Sequence, residues 1–166
     1  MTELELTRVP HDRRLYSLAG VGTVRLTGLL SHAAGAQADE QQWRIARRGV
    51  WRGGLEARDA AGTVVGEFDP RDIRRGGTLR WEGRELTLRP TSALRERYAL
   101  RDGERELARL DGKGWGRRPV LITLLESDAI DPGLLLFAAF VVHRLAVNAS
   151  GTASATSAAT MSGSSS

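Results

Sequence analysis

Nine consecutive residues near the C-terminus, Leu134 to Val142, contain no polar side chain. The segment that holds them opens as a helix does. Asp131 is a good N-cap, and Pro132 suits the first helical turn. A helix with no polar face must be covered on every side, by protein or by lipid. From Pro132 to Val147 it would run roughly 24 Å. That is short of the roughly 30 Å, and about 20 apolar residues, that a bilayer core requires. The rest of the chain is therefore expected to form a wall around it.

The preceding residues supply strands for such a wall. Leu4 and Leu6 alternate with polar neighbours until Pro10-His11-Asp12 breaks the run. Gly20-Val21-Gly22 turns into a strand carrying Val24 and Leu26. Residues 31–42 are small and polar and lack any β-branched side chain, so they read as a loop. Trp43 to Arg47 alternates again. Leu55 to Arg58, the tight connection Asp59-Ala60-Ala61-Gly62, and Val64 to Phe68 form a hairpin. Thr78 to Trp81 and Glu85 to Leu88 flank a short turn at Glu82-Gly83-Arg84. Asp102-Gly103, between Arg97–Leu100 and Glu106–Leu110, is a strong hairpin signal. Pro119 to Leu125 is apolar on both faces and is expected to be a covered strand. Residues 148–166 are almost entirely Ser, Thr, Ala and Gly and read as a disordered tail. The expected organisation is one domain over 1–147, with its helix over 132–147, followed by the tail.

Ten or eleven strands with turns every 8–12 residues point to a sandwich or a barrel. The helix decides between them. A sandwich interior is about 10 Å thick and is filled by its own side chains. A barrel of about eight strands is filled in the same way. Only a wider closed barrel has room for a helix on its axis. The fold class is thus all-β with one central helix: an antiparallel barrel of hairpins, of about twelve strands, closed around a buried C-terminal apolar helix.

Two hairpins, Leu55-x-Ala57-x-Asp59-x-x-Gly62-x-Val64-Val65 and Tyr98-x-Leu100-x-Asp102-Gly103-x-x-Glu106-Leu107, carry a resemblance, together with the closing Asp131-Pro132-Gly133-Leu134-Leu135-Leu136-Phe137. Over roughly residues 20–147 the chain resembles the Tubby C-terminal-like superfamily, which includes the phospholipid scramblases and the LURP-one-related proteins. The resemblance implies a twelve-stranded barrel around a hydrophobic helix, with Leu4–Val9 supplying the last strand. It also implies a non-catalytic domain whose partners are anionic lipids or membrane surfaces.

The residues themselves offer little catalytic chemistry. His11, His32 and His143 have no second ligand at metal-binding spacing, and there is no cysteine. No cofactor or metal is expected. His143 and Arg144 read as the polar C-terminal end of the helix, where cations suit the dipole. Gly112-Lys113-Gly114-Trp115-Gly116 lacks the spacing of a phosphate loop and precedes a strand rather than a helix. Glu126, Asp128 and Asp131 lack calcium-loop spacing, and Asp131 reads as a cap. Trp43, Trp51, Trp81 and Trp115 each lie within two residues of an arginine and read as packing at barrel rims.

Charge then separates the remaining functions. The net charge is +4, yet the isoelectric point is near 10.5, because every basic residue except Lys113 is arginine. A codon bias toward Arg, Ala and Gly explains the excess without a partner. A phosphate-binding surface is the functional alternative. Its candidate contacts, chosen by local charge, are Arg47, Arg48, Arg52, Arg71, Arg74, Arg75, Arg117 and Arg118. A nucleic-acid-binding or small-molecule-binding module would use the same arginines, but no recognition helix or Lys-rich tail favours nucleic acid. A C-terminally anchored membrane protein is a further alternative, opposed by the helix's length. The acidic N-terminus lacks a secretory signal, and a cytoplasmic protein, peripheral at the membrane, is expected.

Overall fold

The computed structural model describes residues 1–27, 33–49, 54–71, 76–113 and 115–159, with side chains described as far as Gly151. Twelve strands form one closed antiparallel barrel: β1 (Thr2–Arg8), β2 (Leu15–Leu18), β3 (Gly22–Thr27), β4 (Ala33–Ala38), β5 (Gln41–Arg48), β6 (Gly54–Asp59), β7 (Val64–Pro70), β8 (Gly77–Trp81), β9 (Arg84–Pro90), β10 (Glu96–Asp102), β11 (Arg105–Gly112) and β12 (Val120–Leu124). Every strand pairs with its neighbours in sequence. Closure comes from β1, whose Thr2–Leu6 pairs with Val120–Leu124 of β12. The N-terminal stretch is thus the last strand of the wall, as expected from the resemblance.

The two-residue turns follow local chemistry. Glu82 and Gly83 both have positive φ, 48° and 80°, between paired Trp81 and Arg84. That backbone matches the twist of the strands it joins. At Asp102-Gly103 the glycine takes φ 56°. Asp59 closes its own turn through its carboxylate, which accepts hydrogen bonds from the amides of Ala61 (3.0 Å) and Thr63 (2.9 Å).

A single helix, α1 (Pro132–Ala159), runs through the interior. Every side chain from Leu134 to Val142 is at most 3% exposed. Strands on opposite sides of the barrel, β3 and β4 against β10, β11 and β12, all touch it. Inward positions on the strands complete the core, among them Leu6, Leu18, Ile45, Phe68, Leu79, Leu88, Leu100 and Ile122. Outward positions carry charge, with pairs such as Arg58–Glu56 (2.8 Å) and Arg80–Asp69 (2.9 Å). This polarity is the inverse of a transmembrane barrel, whose outer band is apolar.

Small residues set how closely helix and wall approach. A Cβ at Gly22 would lie 2.1 Å from the Gln37 carbonyl oxygen and 2.9 Å from Leu136 Cδ1. One at Gly112 would lie 2.9 Å from Val142 Cγ1. At the entry of the helix, Trp43 and Trp81 meet edge to face with ring centroids 5.6 Å apart, and Trp81 also packs on Phe137. They leave room only for glycine at 133, where a Cβ would come within 2.5 Å of Trp81 Cζ2.

Three expectations need correction. Residues 33–38 are a strand, not a loop. β4 has no branched side chain, but Ala34, Ala36 and Ala38 point inward at the period of a strand and are buried. Alanine is what fits where the wall comes close to the helix. With it the wall has its expected twelve strands. β12 is covered on one face only: Val120, Ile122 and Leu124 are buried, while Leu121 and Thr123 are half-buried. Finally, the helix does not stop at Val147 but continues to Ala159, through residues read as tail. Alanine-rich sequence propagates a helix once a buried segment has nucleated it.

Asp131 is the N-cap it was expected to be. Its Oδ1 accepts a 2.8 Å hydrogen bond from the Leu134 amide, and its carbonyl accepts one from Leu135. Asp131→Ala is expected to lower stability by about 1 kcal/mol, read as a shift in the urea midpoint with an unchanged slope.

Candidate anionic interface at the helix-exit end

In an up-and-down barrel successive connections alternate between the two ends. The six connections at the helix-entry end (19–21, 39–40, 60–63, 82–83, 103–104 and 125–131) carry Asp39, Glu40, Glu82, Glu104, Glu126, Asp128 and Asp131, and no basic residue. The connections at the helix-exit end are the reverse. Their described residues include Arg13, Arg14, Arg71, Arg95, Lys113, Arg117 and Arg118, against the single carboxylate of Asp12. The modest net charge therefore hides a strong separation along the barrel axis. Such a separation presents one end to anionic partners and turns the other away.

The described arginines among those singled out from sequence belong to this end. Arg47 and Arg48 close β5, Arg71 follows β7, and Arg117 and Arg118 precede β12. Arg52, Arg74 and Arg75 lie outside the described residues. The structure divides the others by availability. Arg48 is engaged on the outer wall by Glu67 (3.0 Å) and Asp69 (3.3 Å), and Arg118 by Glu5 (3.2 Å). Arg71 and Arg117 are exposed and make no ion pair among the described residues, as is true of Arg13 and Arg95, which local charge had not singled out. Two large apolar side chains stand out of the same end. Leu94 is 93% exposed and Trp115 76%. Trp115 is thus not rim packing, unlike the buried Trp43 and Trp81; Trp51 lies outside the described residues. Basic side chains interleaved with exposed Trp and Leu suit a surface that is charged outside and apolar just beneath.

Two clefts flank the helix where it leaves the barrel. The larger, about 360 Å³, is lined by Arg8, Tyr16, Leu26, Trp115, Pro119 and His143, with Arg144 and Val147 at its edge. The smaller, about 90 Å³, lies between Arg47, Phe68 and Arg144. No carboxylate lines either among the described residues. A groove of about 510 Å³ on the outer wall, between Arg71, Arg89 and Arg101, borders residues outside the described set.

His143 and Arg144 are not a helix terminus. They sit mid-helix, 6% and 9% exposed. His143 packs against Tyr16, with ring centroids 5.4 Å apart, and its Nδ1 has no hydrogen-bond partner. Burial, and then the charge of Arg144, lower its pKa to about 4. Burial and the charge of Arg47 also lower the pKa of Arg144. The unfolded chain, with a histidine pKa near 6.5, takes up the proton first as pH falls. The His143 contribution is therefore intact above about 6.5 and is lost progressively down to about 4, by roughly 3 kcal/mol in all. In His143→Gln that share of the acid destabilisation is expected to vanish. Urea midpoints at pH 7 and 4.5, compared between variant and parent, measure it.

No group of three His, Asp or Glu side chains able to hold a metal occurs among the described residues. Compared with known proteins, the chain matches no family model, no curated protein and no solved structure.

Proposed function

We propose that this chain is a non-enzymatic binding domain of the Tubby-like kind, whose helix-exit end settles on anionic phospholipid surfaces from the cytoplasmic side. One observation carries the reading: seven basic side chains against one acid in the described connections of that end, while the connections of the opposite end carry acids and no base. The exposed Trp115 and Leu94 support it, because they provide apolar anchors beside the charge. The architecture supports the family reading, since a twelve-stranded meander around an apolar C-terminal helix is what the resemblance implies. By length and composition the helix from Pro132 to Gly151 could cross a membrane. The side chains that would meet lipid are instead covered by the chain's own strands, which favours surface binding over anchoring.

Flotation with vesicles of phosphatidylcholine alone and of phosphatidylcholine with phosphatidylserine tests this. Binding is expected only to the anionic vesicles, weakening as salt shortens the range of the field. Absence of binding at low as well as high salt would remove the reading. Retention on DNA or RNA without flotation would move the function to nucleic acid.

A further inference from the structure

Buried polar groups in a folded protein are almost always partnered, so one without a partner calls for an explanation. The larger cleft at the helix exit holds one, on His143, with further donors beside it. Arg8, half-buried at the end of β1, makes no ion pair among the described residues, although most arginines on the wall do. Tyr16 is buried against His143, and Arg8 lies near enough for its charge to act on the phenol. His143, more than nine-tenths buried, has an Nδ1 bonded to nothing. The three come from β1, β2 and α1 and meet in one cleft of about 360 Å³, which has no acidic lining among the described residues and Trp115 at its mouth.

We propose that this cleft is a site for a phosphate monoester or similar small oxyanion, held by the Arg8 guanidinium over a floor formed by the Tyr16 hydroxyl and the His143 imidazole. All three can donate hydrogen bonds, and none brings a negative charge at neutral pH. Arg144 lines the same cleft and adds a second guanidinium to its field. A guanidinium and an oxyanion form strong, directional, charge-assisted bonds. The cleft opens beside the exposed indole, so the phosphate can be the end of a larger molecule. It can be a lipid headgroup or a free phosphate compound. Only the lipid source rests on the membrane reading above; the site itself rests on the unpartnered His143 nitrogen and the donors that line the same cleft.

The test follows His143 directly. The full chain, carrying ¹³C-labelled histidine, is titrated by NMR with inorganic phosphate. Separate samples receive vesicles of phosphatidylcholine with and without phosphatidic acid. Phosphate is expected to move the His143 signal saturably and to raise its titration midpoint from about 4, against the fields of Arg8, Arg144 and the Tyr16 ring. Arg8→Gln is expected to weaken the response about tenfold or more. Tyr16→Phe, which keeps the ring, is a milder variant should the arginine change disturb the fold. If phosphate moves His143 but no vesicle binds, the site stands with a free anion as its ligand, and the membrane reading falls. If the protein binds anionic vesicles while His143 responds to neither probe, the site is overturned and the membrane reading survives on its loops.

Discussion

Phe140→Asp is expected to yield no folded protein: a far-UV circular dichroism spectrum without the native signal, and no cooperative urea transition. Phe140 is 1% exposed and lies in the middle of a helix with no polar face. Truncating a buried phenylalanine removes roughly 3–5 kcal/mol. A buried, unpaired carboxylate adds an effective penalty of several kcal/mol, even after the group protonates or draws in water. Domains of this kind are stable by only about 5–15 kcal/mol. The sum reaches or exceeds what is available. Ser150→Asp, on an exposed position of the same helix, is the control and is expected to fold normally. A Phe140→Asp protein that unfolds cooperatively within about 1 kcal/mol of the parent would mean that the helix is not the core of the barrel.

The second large effect belongs to binding. Neutralising Arg71, Arg95 and Arg117 together, each to glutamine, is expected to lower partition onto anionic vesicles about a hundredfold at low salt. A cationic side chain near an anionic leaflet is worth about 1 kcal/mol, so three together are worth about 3. These three are exposed and make no ion pair among the described residues, so little stability should be lost with them. Trp115→Ala should weaken partition further, and with little salt dependence, because it removes apolar contact rather than charge. Neutralising Asp39, Glu40 and Glu104 at the other end should leave partition unchanged or slightly stronger. If the acidic-end variant gains about as much binding as the arginine variant loses, the interaction follows net charge and not the helix-exit end.

The sequence carries much of the fold. Leu134 to Val142, with no face for water, demand enclosure, and only a wide barrel leaves room for a helix on its axis. Glu82-Gly83 and Asp102-Gly103 mark their hairpins because the chirality of the backbone restricts which residues can turn that tightly. These are local signals, and the structure agrees with them. The failures were not local. Ala34, Ala36 and Ala38 look like loop residues until the helix beside them explains why nothing larger fits. His143 and Arg144 look like a helix end until the helix is seen to continue to Ala159.

What a chain must bury is written in the polarity of its side chains, because transfer from water is a property of each group alone. By itself the sequence thus determined that this protein encloses an apolar helix within a β wall. Which groups become neighbours depends on closure, and closure joins residues far apart in the chain. Only the tertiary structure placed the arginines of separate connections at one end, gathered the acids at the other, and brought Arg8, Tyr16 and His143 into one cleft. Charge density along a sequence does not contain that axis, which exists only once β1 has paired with β12.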